Sequence, residues 1–252
     1  MSTQKQSLNT LPGSPLPLGS SQRGDHVNFA IYARHAGSVI LVIVLEETFT
    51  PQAETREIVL DPEINRTDDV WHVSLELDSR TLRYGYRIDG TAKPADGILF
   101  FPETVLLDPY CTRIVPRPWG AESYYGKIPL CLADTTDYFD WQGDRPLARP
   151  ASETIIYELH VRGFTRHHSS TVSAPGTYRG IIEKIPYLKE LGITAVELLP
   201  VNEWDETDNR FYHPETGERL LNYWGYNPLS FFALKSGFGA SPAEHINEFT
   251  LR

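Results

Sequence analysis

The sequence predicts a multidomain chain of mixed class, in which a β-sandwich precedes an α/β region. Two observations lead to this prediction: five short β-rich segments lie between turns in the first 110 residues, and a strand–helix–strand pattern begins after residue 150. Short strands at this spacing are typical of sandwiches, and a βαβ order implies parallel strands with a right-handed crossover. At 252 residues, of which 40% are hydrophobic and 22% charged, the chain has a globular composition and room for two domains.

The strands of the predicted sandwich follow from hydrophobic patterning. Apolar and polar residues alternate along 70–77, which is typical of an antiparallel strand with one core face and one solvated face. His72, Ser74 and Glu76 fall on the face predicted to be solvated, and Trp71 falls on the apolar face. The predicted strands are 27–33, 38–45, 56–61, 70–77 and 82–89.

The second half of the chain begins after a proline-rich stretch. Residues 111–150 contain five prolines and little periodicity, which predicts a linker along the protein surface. Beyond it, apolar spacing predicts a strand over 155–161, a helix over 178–192 that ends at Gly192, and a second strand over 193–201. Ser241 is predicted to cap a further helix that starts with Pro242.

Composition and charge exclude several classes of partner. The net charge of −10, with Lys and Arg scattered among acids, argues against nucleic acid, because phosphate binding requires clustered cations. The longest apolar run, 39–45, is far shorter than the roughly 20 residues of a membrane span. The polar amino terminus lacks the apolar core of a secretory signal, so we expect a cytoplasmic location. Cys111 and Cys131 make no disulfide framework and are predicted to be small buried hydrophobes.

Carboxylates on the two predicted parallel strands are the first candidates for chemistry. Glu158, His160 and Arg162 would share the inward polar face of the first strand, and Glu197 would lie on the second. Glycoside hydrolysis requires a pair of carboxylates, so Glu158 and Glu197 could form one. Both lie in mid-strand, however, and a buried polar cluster neutralised by Arg162 or His160 is the preferred interpretation.

An aromatic loop at 222–228 is the sharper candidate. Its sequence, NYWGYNP, displays three aromatic residues beside Gly and Pro, which favours stacking on a flat apolar ligand face; a loop packed by its own aromatics is the alternative. Trp204, Asp205 and Glu206 are interpreted as the charged rim of the same site. His167 and His168 would point apart on a strand and lack a third ligand, so no metal is predicted. Phosphate loops and Ser-centred nucleophile elbows are absent from the sequence, and no cofactor is predicted.

Several motifs, in order, resemble the isoamylase and glycogen-debranching branch of the α-amylase family of glycoside hydrolases. The first half carries GDHVNFAIYARHAGSVILVI, DDVWHVSLE, LRYGYRIDG and VLLDPY, and the second carries IIYELHVRGFT, YRGIIEKIPYLKELGITAVELLPV and LNYWGYNPLSFFAL. The resemblance implies an immunoglobulin-like carbohydrate-binding β-sandwich at 14–110, a linker at 111–150, and the amino-terminal part of an incomplete (β/α)8 TIM barrel at 151–252.

The resemblance also implies a function. Family members hydrolyse α-1,6 branch points of glycogen or amylopectin with retention, using an Asp nucleophile and a Glu acid/base about 5–5.5 Å apart. These carboxylates lie on later barrel strands, so we expect the chain to be an inactive fragment; a non-catalytic glucan-binding protein is the alternative. Tyr226 matches the family tyrosine that stacks under the sugar, and Trp224 and Asn227 flank it. In the β-sandwich, Trp71 is interpreted as a core residue rather than a sugar contact.

Overall fold

The computed structural model of the chain describes residues 8–45, 54–76, 82–122, 126, 128, 130–133 and 141–250. The chain divides into two compact units. The first comprises residues 1–115, 124–136 and 230–232, and the second comprises 116–123, 137–229 and 233–252.

Among the described residues, the first unit is built from two antiparallel sheets. Their strands are β1 (Thr10–Leu11), β2 (Gly19–Arg23), β3 (His26–Tyr32), β4 (Ala36–Leu45), β5 (Arg56–Val59), β6 (Arg66–Thr67), β7 (Val70–Glu76), β8 (Leu82–Gly90) and β9 (Cys131–Leu132). One sheet has the strand order β1-β7-β3-β2, with β6 also paired to β7, and the other has the order β5-β4-β8-β9. The rings of Phe29 and Tyr84, one from each sheet, meet edge to face with centroids 4.9 Å apart, as expected for inner faces that interdigitate.

The prediction of a solvated face on β7 is wrong for two of its three polar residues. His72 and Ser74 are buried, and only Glu76 is exposed. Strand β1 pairs with β7, and the chain after it covers this face, so that His72 Nδ1 donates to the Pro12 carbonyl at 2.8 Å and Thr67 donates to Nε2 at 2.9 Å. Trp71 is fully buried, as predicted for a core residue.

The stretch predicted to be a surface linker is partly a core element of the first unit. Strand β9 pairs with β8, placing Cys131 opposite Tyr84, and Cys111, Ile114 and Val115 are buried. Apolar residues in 111–115 and 130–133 therefore close the second sheet despite their low periodicity. Residues 141–150 are exposed, whereas 123–125, 127, 129 and 134–140 lie outside the described residues. Cys111 and Cys131 are buried free thiols, as predicted.

The second unit contains a parallel βαβ arrangement. Strands β10 (Ile156–Leu159) and β11 (Ala195–Leu198) pair in parallel, which confirms the predicted strand direction. Between them lie α1 (Val161–Arg166) and α2 (Tyr178–Glu190). Thr177 is the N-cap of α2, and its hydroxyl accepts from the Gly180 N–H at 3.1 Å. Gly192 follows α2 with φ of 81°, as its predicted role as a stop requires.

Two boundaries in the second unit differ from the predictions. The first strand ends at Leu159, because His160 caps α1 and turns the chain into a helix, so Arg162 lies on α1 and not on a strand. The last helix, α3 (His245–Thr250), follows a 3₁₀ turn at Pro242–Glu244, and the Ser241 side chain makes no capping hydrogen bond. The core of this unit is aromatic and includes Trp204 and Phe238, which are fully buried.

Candidate functional site

The aromatic loop at 222–228 presents its candidate residues to solvent. The Tyr226 side chain is 71% exposed and Trp224 is 57% exposed. Asn227 is also exposed, and its amide donates to Asp208 Oδ2 at 3.0 Å. Tyr223 is less exposed, at 36%, and its ring stacks on the His160 ring with the centroids 4.5 Å apart. The loop is therefore held by one of its aromatics and displays two others.

The backbone of this loop is fixed by its neighbours in the second unit. Trp204 Nε1 donates to the Asn222 carbonyl at 2.9 Å, and the Asn222 N–H donates to the Glu206 carbonyl at 2.7 Å. His160 Nε2 donates to the Tyr223 carbonyl at 2.9 Å. Because the loop is anchored before and within its aromatic run, the exposed rings stand on a rigid base.

His160 links the loop to the start of α1. Its Nδ1 accepts from the Gly163 N–H at 3.0 Å while Nε2 carries the proton donated to Tyr223, which defines a neutral tautomer. Desolvation lowers the pKa of His160, and the nearby Arg162 charge lowers it further, against the raising effect of the Tyr223 carbonyl. The neutral form that the hydrogen bonds require is thus the form that burial favours.

A buried ion cluster contacts Trp204, the residue whose indole anchors the loop. Lys235 Nζ lies 2.6 Å from Glu203 Oε1 and 2.8 Å from Glu206 Oε1, and all three side chains are almost fully buried. Lys235 also donates to the Trp204 carbonyl at 2.8 Å and sits 4.7 Å from the Trp204 ring centroid. A buried cation needs such compensation, and two carboxylates and an aromatic face supply it.

The prediction that Trp204, Asp205 and Glu206 form a charged rim is wrong. Trp204, Asp205 and Glu206 are all buried, and Trp204 belongs to the core. Sequence reasoning missed Lys235 and Glu203, which stand 32 residues apart in the chain. Because the two residues are distant in the chain, no local pattern in the sequence marks them as a pair.

The Glu158–Glu197 pair does not form the expected buried cluster. The two residues are register partners on β10 and β11, and both are exposed. Neither proposed neutralising residue is free for them: His160 caps α1, and the Arg162 guanidinium lies 4.5 Å from the Trp119 ring centroid. Like charges side by side on adjacent strands repel each other unless solvent screens them.

The histidine pair also differs in geometry from its prediction. His167 and His168 follow α1 rather than lie on a strand, and their rings are 4.0 Å apart instead of pointing apart. Both are exposed. Within the described part of the chain, no group of three or more His, Cys, Asp or Glu residues could hold a metal ion. Over the same residues, no helix is both long and apolar enough to cross a membrane.

Each half of the chain matches the model of a known protein family. Residues 17–111 match the family described as carbohydrate-binding module 48 (isoamylase N-terminal domain), and residues 156–243 match the alpha amylase catalytic domain. Isoamylase 1, chloroplastic, of Arabidopsis thaliana is 38% identical over 249 residues, which cover 95% of this chain and 32% of that protein. The glycogen debranching enzyme of Klebsiella pneumoniae (strain 342) is 37% identical over 251 residues, covering 94% and 36%.

The fold of the chain is also similar to that of a solved structure. The pullulanase from Anoxybacillus sp. LM18-11, solved in complex with maltotriose, superposes with a TM-score of 0.66 at 22% identity, covering 92% of this chain and 31% of that one. The predicted fold class, an immunoglobulin-like β-sandwich followed by the start of an α-amylase-type barrel, is confirmed. The chain spans about a third of the length of the curated relatives that it matches.

Proposed function

The chain belongs to the isoamylase and glycogen-debranching branch of the alpha-amylase family, and we propose that it forms a glucan-binding part of a hydrolase that cleaves α-1,6 branch points in glycogen or amylopectin. The observation that supports this most directly is the aromatic loop, which holds the Tyr226 ring exposed above a rigid base. We propose that Tyr226 stacks on a glucosyl ring, with Trp224 and Asn227 beside it.

Binding is tested on the full 252-residue chain by affinity electrophoresis in gels containing glycogen. We expect the parent chain to be retarded, and Tyr226→Ala to weaken binding by on the order of tenfold, which corresponds to about 1.4 kcal/mol. A Phe211→Ala variant is the matched control, because Phe211 is an equally exposed aromatic of the second unit outside the loop. Equal retardation of parent and Tyr226→Ala would remove Tyr226 from the site.

We propose that hydrolysis depends on carboxylates other than Glu158 and Glu197. A retaining pair flanks the scissile bond, and its acid has a raised pKa. Glu158 and Glu197 instead stand side by side on adjacent strands and are exposed, so both would approach a sugar from the same side. We therefore expect this chain to release no reducing ends from amylopectin. Release that Glu197→Gln abolishes would contradict this proposal.

The cytoplasmic location also stays a proposal. The plant relatives are named chloroplastic, whereas the Klebsiella enzyme carries no such designation.

A non-catalytic glucan-binding protein would give the same gel result. Release of reducing ends from amylopectin distinguishes that alternative from a hydrolase, because only a hydrolase produces them.

A further inference from the structure

We infer that Trp204 is a positioning residue for the glucan site, because it sets the height and tilt of the Tyr226 ring through Gly225; this inference rests on the proposed role of Tyr226. Trp204 is fully buried, so it cannot itself contact a polysaccharide. Its effect would pass through the backbone of the aromatic loop.

Trp204 meets the loop at three points that bracket Tyr226. Its indole Nε1 donates to the Asn222 carbonyl at 2.9 Å, at the start of the loop. Its ring lies under Gly225, the residue directly before Tyr226. Its backbone pairs with Pro228 through an isolated antiparallel β-bridge, two residues after Tyr226. The Tyr226 backbone therefore has little freedom, although its side chain is exposed.

The contact at Gly225 is the tightest of the three. A Cβ built on Gly225 would lie 2.8 Å from Cε3 of Trp204 and 2.9 Å from both Cδ2 and Cζ3. Real Cβ atoms do not approach aromatic carbons so closely, and the indole is itself held by a buried core. Gly225 also has φ of 78°, in the left-handed region that favours glycine. Any larger residue must lift the loop off the indole or displace it.

The position of the Trp204 indole is fixed by its neighbours, so it can support the backbone of the loop. Its ring meets Phe238 with centroids 5.3 Å apart and Trp119 at 5.8 Å, both edge to face. Its carbonyl accepts from Lys235, which the carboxylates of Glu203 and Glu206 fix in turn. The buried ion cluster thereby has a role beyond stability, since it holds the indole that supports the loop.

The test is a double-mutant cycle on glycogen binding with Gly225→Ala and Tyr226→Ala, in the full chain. If Gly225→Ala acts by displacing the Tyr226 ring, it weakens binding by on the order of fivefold, and adding Tyr226→Ala to it costs less than about twofold more. If Gly225→Ala instead caused a general loss of structure, it would lower the melting temperature. The decreases in glycogen affinity caused by Gly225→Ala and Tyr226→Ala would then be independent of each other. Gly217→Ala is the control, because Gly217 has φ of 70° but nothing within 4 Å of its added Cβ. It should bind glycogen like the parent.

The outcomes separate this inference from the proposed function. An unretarded parent chain, or a Tyr226→Ala variant that binds normally, would overturn the proposed function and the inference with it. Two outcomes would overturn the inference alone, provided that Tyr226→Ala still weakens binding. One is a Gly225→Ala variant that binds glycogen like the parent. The other is a double variant whose loss of affinity equals the product of the losses caused by the two single substitutions. If Gly225→Ala fails to fold, Trp204→Phe takes its place in the cycle, since it keeps a core ring but removes the hydrogen bond to Asn222.

Discussion

At the scale of single residues, burial determines how the side chain of Asp108 titrates. Asp108 is fully buried in the first unit, where Tyr84 donates to Oδ2 at 2.9 Å and the Tyr110 N–H donates to Oδ1 at 2.9 Å. Desolvation raises the pKa of this carboxyl to about 6, although both hydrogen bonds oppose the rise. Two hydrogen bonds therefore do not compensate the loss of water around the charge.

This raised pKa predicts that the first unit loses stability as the pH rises. A carboxyl whose pKa is higher in the folded than in the unfolded state contributes stability that is full below the unfolded value and is lost as the pH rises through the folded one. From the ordinary value of 3.8 to about 6, the loss is about 3 kcal/mol. Asp108→Asn, which cannot ionise, should lack this loss between pH 4 and 7.

The measurement is hydrogen exchange of β8 amides across this pH range, corrected for intrinsic exchange rates. Asp96→Asn is the control, because Asp96 is an exposed aspartate of the same unit. Parallel pH profiles for the parent and Asp108→Asn would show that Asp108 does not titrate as its burial requires.

At the scale of elements, the packing of α1 against α2 depends on one glycine. A Cβ on Gly180 of α2 would lie 2.5 Å from the Ala174 carbonyl oxygen and 2.8 Å from Thr165 Oγ1. Helix propensity alone predicts that Gly180→Ala stabilises by about 0.5–1 kcal/mol, whereas overpacking costs about 1–3 kcal/mol. We expect the steric cost to exceed the gain, with a net destabilisation of about 1–2 kcal/mol.

The matched control for Gly180→Ala is Gly163→Ala in α1. There the nearest atom to the added Cβ is the Tyr223 hydroxyl at 3.4 Å, an ordinary van der Waals contact. We therefore expect this substitution to be neutral or to stabilise by up to about 1 kcal/mol. Urea unfolding of the second unit checks both variants, and equal effects of the two would show that packing does not decide the sign.

The same elements show how far sequence reasoning reaches. The helix over 178–192 was predictable because its periodicity and Gly192 are local, and the observed α2 ends at Glu190, only two residues earlier. The end of β10 was not, because the alternation continues through His160 and Val161, and the turn depends on the His160 side chain capping α1. The exposed loop was predictable from its aromatics. Its support by Trp204, Lys235 and Glu203 was not, since contacts between residues distant in the chain leave no local pattern.

At the scale of the whole molecule, the two units differ in how their sheets are completed. In the part of the chain that the structure describes, the first unit has sheets of five and four strands, whereas β10 and β11 form a two-stranded parallel sheet. Ile155, Ile156 and Val196, in or beside these two strands, are 53%, 60% and 41% exposed. Small parallel sheets are stable when helices or further strands bury both faces, and an apolar edge left open favours association.

We therefore expect the second unit of this chain to open first. Amides of β10 and β11 should exchange with solvent faster than those of β3, β4 and β8, which lie inside completed sheets. Because exposed apolar residues also drive association, heating should aggregate the chain through the second unit. Replacing Ile156 by Thr keeps a β-branched side chain while reducing the exposed apolar surface, so aggregation should slow without a change in the exchange of β4. Equal protection of β10 and β4 amides would contradict this order of opening, because an exposed two-stranded sheet would then be as stable as a buried one.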